Sequence, residues 1–131
     1  MTANTDPIFT LVPKIGHGII STANTNLDGS GTIVTIITGG TNGTRITRIV
    51  TQAITTTTAG IVRLYIYDGA EYMLWREISV TAITIDNSTV GFTSTIDLNG
   101  EKALILPYGW SLAAAPSIAE SFVVTAEGGD Y

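Results

Sequence analysis

Residues 62–80 constrain this chain more than any other stretch. Val62, Leu64 and Ile66 alternate with Arg63, Tyr65 and Tyr67, then Asp68-Gly69 leads into residues 72–80, where Leu74, Ile78 and Val80 share a face interrupted by Arg76. Strand side chains reverse direction at every residue, and Asp-Gly between two alternating runs is a strong hairpin signal. The same short apolar and β-branched runs, closed by turn residues, recur along the chain and predict strands at residues 15–22, 32–38, 44–55, 89–96, 102–106, 110–114 and 121–127. The 44–55 segment is predicted to carry a bulge, because Ile46, Ile49, Val50 and Ile54 do not fall on one alternating face. Residues 111–120 are the only helix-like stretch, and Pro116 breaks it. About eight or nine strands with turns at this spacing predict an all-β fold: a single-domain antiparallel β-sandwich, jelly-roll-like, with a small barrel as the alternative.

Length agrees with one domain. A chain of 131 residues buries roughly two thirds of its unfolded surface and can build a core without staples. None are present, for the chain has no cysteine and hence no disulfide or thiolate metal site. Charged residues make up 13% of the chain, about half of the ~25% usual for a soluble domain. Threonine supplies the polarity instead, in the run Thr55 to Thr58 and at Thr32, Thr35, Thr38, Thr41, Thr44 and Thr47. A surface with so few charges is poorly defended against association, and we read it as partly committed to partners. Net charge is −5 with six basic residues, which argues against nucleic acid as a partner. No apolar run approaches the ~20 residues of a membrane span, and residues 1–13 lack the basic and apolar regions of a secretory signal.

Candidate chemistry dissolves on inspection. The single histidine, His17, lies between Gly16 and Gly18 at the start of a predicted strand and has no cysteine partner. Asn26-Leu27-Asp28-Gly29-Ser30-Gly31 resembles a calcium loop, but Ile37 stands where the closing glutamate belongs. Gly39-Gly40-Thr41-Asn42-Gly43 lacks the Gly-Lys-Ser/Thr ending of a phosphate-binding loop. The triplets Asn42-Gly43-Thr44 and Asn87-Ser88-Thr89 match the glycosylation pattern, which carries little meaning without a secretory signal. Asp28, Asp68, Asp86, Asp97 and Asp130 sit singly beside turns. The reading is a non-enzymatic chain with no cofactor and no metal. Tyr65, Tyr67 and Trp75 fall on the hairpin face opposite Leu64, Ile66 and Leu74. That face is either an exposed aromatic platform for sugars or protein, or a second buried face.

Residues 60–69, followed by Leu74-Trp75-Arg76-Glu77-Ile78, resemble a family of small tailed-bacteriophage proteins. Residues 22–29, 106–112 and 126–131 fit the same family. The resemblance implies a virion structural protein similar to capsid decoration (cement) proteins. Such a protein would be a homotrimer made in the host cytoplasm, bound to the major capsid protein on the capsid exterior. No catalytic residue carries over. Residues 1–13 fit this role as an extended arm ahead of a sandwich at 14–131. Pro7, Ile8, Phe9, Leu11 and Val12 are its candidate contacts with the capsid or a neighbouring copy. An edge strand of the same sandwich is the alternative for this segment. The alternative function is a carbohydrate-binding module or tail-fibre protein using Tyr65, Tyr67 and Trp75.

Overall fold

The computed structural model describes residues 9–98 and 103–131. Among these residues nine strands follow in chain order: β1 (Val12–Ile20), β2 (Val34–Thr38), β3 (Thr44–Ala53), β4 (Gly60–Tyr67), β5 (Tyr72–Val80), β6 (Thr93–Asp97), β7 (Leu104–Leu106), β8 (Ser111–Pro116) and β9 (Phe122–Asp130). One sheet has the order β1-β9-β3-β6, with β7 also on β3, and the other has the order β2-β8-β4-β5. All pairs are antiparallel. β6 pairs with residues 48–52 of β3 and β7 with residues 44–46, so the two short strands share one edge end to end. The first strand lies beside the last, and the chain crosses between the sheets at every connection except the β4–β5 hairpin and the β6–β7 link. This is jelly-roll-like topology, which sequence alone did not order.

The two inner faces enclose one apolar core. Ile46 and Ile49 of β3, Val62 and Leu64 of β4, Leu112 and Ala114 of β8, and Val124 and Ala126 of β9 are all buried in it. Phe92 and Phe122 meet edge to face at 6.4 Å near one end. β1 presents Gly16 and Gly18 to β2, where a Cβ on Gly16 would collide with the Ile36 carbonyl and one on Gly18 would come within 3.1 Å of Val34 and Ile36. Two missing side chains therefore let the sheets close tightly along this side.

Several expectations shift. β1 begins at Val12, and the Leu11 N–H already donates to Asp130 O at 2.8 Å. The last residues of the expected arm are thus the first of an edge strand. The 89–96 strand narrows to β6, and the last strand extends to Asp130. The expected bulge in β3 is present, as a register shift between Ile46 and Arg48 against β9. The strand expected at 110–114 is present as β8, which runs to Pro116 through the start of the helix-like stretch, every residue of it buried. Leu112 and Ala114 face the main core, while Ala113 and Ala115 face a second cluster around Tyr65. A strand covered on both sides needs small or apolar side chains, so alanine here reflects burial and not helix propensity.

Candidate interaction surfaces

The hairpin aromatics do not form an exposed platform. Tyr65 is fully buried, packed with Ala113, Ala115, Ile33, Tyr72 and Leu74. Its cover is the connection between β1 and β2, which folds back over the outer face of the second sheet. Asn24 anchors that loop. Its backbone N–H donates to Pro116 O at 2.8 Å, its side-chain amide donates to Ser30 O at 2.9 Å and Thr32 O at 3.1 Å, and its side-chain oxygen accepts from Asn26 N–H. The Tyr65 hydroxyl donates to Asn26 O at 2.9 Å, and Arg63 donates to Asn24 O at 3.4 Å. Burial, opposed by the nearby Arg63 charge, pushes the Tyr65 phenol above the ordinary tyrosine range.

Trp75 departs from the expected face for another reason. The β4–β5 ladder shifts register between Leu64 and Tyr65: Leu64 faces Arg76 and Tyr65 faces Leu74, leaving Trp75 as the extra residue. A bulge reverses the alternation beyond it. Trp75 therefore packs against the main core, with Arg76 over its ring at 5.2 Å, while Leu74 joins Tyr65 on the outer side. Tyr67 stays near the hairpin tip, its ring tilted by 33° against that of Tyr72 with centroids 4.4 Å apart. Sequence alternation placed these three aromatics together; the bulge and the covering loop separate them.

The exposed apolar surface lies elsewhere, along β1 and the residues leading into it. Phe9 is 75% exposed, Leu11 82%, Val12 57%, Ile15 63% and Ile19 58%. Pro7 and Ile8 lie outside the described residues. Ile15, His17 and Ile19 point to the outer face of the first sheet, beside Glu127, Thr125 and Val123 of β9. The Arg48–Glu127 ion pair, at 2.7 Å, crosses the same face. A shallow open depression between Pro13, Lys14, Ile15, Thr47, Glu127 and Gly128 is part of it. Tyr108 and Trp110, at the corner between β7 and β8, are also exposed.

The polar groups serve turns and strand ends. Asp28 accepts from the Ser30 N–H and hydroxyl, Asp86 from the same groups of Ser88, and Asp68 from the Ala70 and Glu71 N–H groups. These hydrogen bonds hold all three carboxyls below the usual range. Asp130 ties strands together: Thr44 donates its hydroxyl to it, and Lys14 reaches both Asp130 at 3.3 Å and Thr38 O at 2.6 Å. The Thr44 hydrogen bond first, then Lys14, lowers the Asp130 carboxyl against the opposing effect of burial. Among the described residues no three histidine or carboxylate side chains group closely enough to hold a metal ion. No known protein family and no curated protein matches the chain.

Proposed function

We propose that this protein is a structural component of a tailed-bacteriophage virion, a decoration protein that binds the capsid exterior in several copies and bridges capsid subunits. The observation that carries the reading is the exposed apolar run Phe9, Leu11 and Val12, which feeds directly into a sheet-bound strand. Apolar side chains at these exposures gain free energy when a partner removes them from water, at about 25 cal/mol per Å². A firmly held base preserves more of that gain, because little ordering is left to do on binding. Each contact is modest, but copies acting together on one shell multiply it. The resemblance of residues 60–69 and 106–112 to phage virion proteins points the same way, as does the threonine-rich, charge-poor exterior. The carbohydrate-binding alternative loses the site it rested on, with Tyr65 buried and Trp75 turned inward.

The test uses capsids of the major capsid protein encoded nearest this chain, stripped of decoration. Deleting residues 1–10 together with Leu11→Ser and Val12→Thr, both at exposed positions, removes the apolar run but keeps the β1 backbone, and is expected to abolish co-sedimentation while the far-ultraviolet circular dichroism stays unchanged. Full occupancy by the truncated chain would overturn the arm as the capsid contact. Absence of binding by the intact chain would overturn the capsid reading itself.

A further inference from the structure

The four sheet edges are not equally protected. Exposed edges offer unpaired N–H and C=O groups, and proteins blunt them with charge, proline, bulges or shortness. β5 has Arg76, Glu77 and a bulge; β2 has five residues and a register shift between Thr35 and Ile37; β6 has five residues and Asp97, and β7 has three. β1 differs. It is nine residues long, pairs without a register shift, and among the described residues its only strand partner is β9. Its protecting residues, Pro13 and Lys14, are confined to its first three positions, and Lys14 is already engaged by Asp130. The side chains it turns outward past Pro13 are Ile15, His17 and Ile19, none of them acidic.

The sequence of this edge is also palindromic: Ile15-Gly16-His17-Gly18-Ile19 reads the same in both directions. We infer that β1 pairs with β1 of a second copy of this chain, antiparallel about a two-fold axis at His17, joining two β1-β9-β3-β6 sheets into one. In this register Ile15 lies opposite the partner's Ile19, Gly16 opposite the partner's Gly18, and His17 opposite the partner's His17. Directly opposed residues have Cβ atoms about 4.5–5.5 Å apart, so the seam carries two apolar isoleucine pairs, each with Val123 beside its Ile19. A two-fold interface lays a surface on itself, so any uncompensated charge would meet its own sign. β1 is the long edge that brings none.

The seam also sets the spacing of the proposed capsid contacts, although it does not depend on them. Val12 lies opposite the partner's residue 22, so the two Val12 residues are ten positions apart along the seam. At ~3.3 Å per residue this separates the two Val12 residues, each with its exposed Phe9 and Leu11 neighbours, by about 33 Å. A dimer of this form is a two-headed clamp.

The seam is tested on the full chain by light scattering across a concentration range. The expected mass is twice 13.8 kDa, and Ile15→Lys with Ile19→Lys is expected to shift it to a single-chain mass. Both positions are exposed, so the fold tolerates the change. A single-chain or trimer mass for the unaltered chain overturns the proposal, and so does a double variant that remains dimeric. His17→Cys tests the register in a chain otherwise free of cysteine. It is expected to cross-link to a dimer under oxidation or with a short bis-maleimide, whereas Ile15→Cys alone is not. Cross-linking of Ile15→Cys as efficient as that of His17→Cys overturns the two-fold at His17. Capsid co-sedimentation enters none of these readouts, so failure of the seam and failure of the capsid reading remain distinguishable.

Discussion

Two threonines on β3 share burial and differ in what their hydroxyls do. Thr44 donates to Asp130 and accepts from the Gly40 N–H at 2.8 Å, whereas the Thr51 hydroxyl is buried without a hydrogen-bond partner. A buried hydroxyl that makes no bond loses its hydration for nothing, at about 1–3 kcal/mol, and removing it removes that loss. Thr51→Val is therefore expected to leave the urea midpoint unchanged or to raise stability by about 1 kcal/mol. Thr44→Val leaves Asp130 with Lys14 alone and takes the acceptor from the Gly40 N–H, and is expected to lower it by about 2 kcal/mol. Equal losses from the two substitutions in urea unfolding would contradict the assignment. Asp130 adds a pH dependence. Its carboxyl is held below the ordinary range in the folded chain, so its contribution is present above the unfolded value near ~3.9 and is lost as pH falls through the folded value. Acid titration of stability is expected to be less steep in Asp130→Asn than in the unaltered chain. Identical slopes would remove Asp130 from the acid transition.

The loop of residues 21–33 behaves as part of the core at the scale of elements. Asn24 closes it with two donated side-chain bonds and one accepted, and the closed loop in turn buries Tyr65. Three such bonds at about 0.5–1.5 kcal/mol each give Asn24→Ala an expected loss of about 2–3 kcal/mol. The same substitution is expected to bring the raised Tyr65 ionisation down toward the ordinary tyrosine range, followed by ultraviolet absorbance at alkaline pH. A Tyr65 titration unmoved by Asn24→Ala would mean that another group holds the cover closed. Gly29 belongs to the same closure: it has φ of 87°, and a Cβ there would collide with the Tyr72 carbonyl. Elements of this kind escape sequence reading. Asn24 looks like any turn asparagine, and nothing local says that its turn will cover a tyrosine 41 residues later.

Chain topology decides the behaviour of the whole molecule. β1 and β9 pair across almost the full length of the sequence, Val12 with Asp130 and Ile20 with Phe122. Long-range pairing of this kind must close large loops before any contact rewards it, which slows folding to the millisecond-to-second range. Truncation is expected to be sharply position-dependent. Removal of residues 1–10 leaves the melting temperature within a few degrees, while removal of residues 1–20 strips the partner from one whole side of β9 and prevents cooperative unfolding, as read by calorimetry. A cooperative transition in the longer truncation would show that the remaining strands suffice.

The sequence by itself determined the class, most of the strand positions and the β3 bulge, because these depend on side-chain period and turn chemistry within a few residues. The hairpin of β4 and β5 was legible from alternation and Asp68-Gly69, and the unusual neutrality of the surface from composition. Tertiary structure alone decided strand order, the burial of the alanine-rich β8 on both faces, and the fate of the aromatics. Each of those depends on contacts between residues far apart in the chain, which period and propensity do not encode. The same division holds for the surface: the sequence announced an apolar segment at residues 7–13, and the fold made the strand that follows it a long, bare edge.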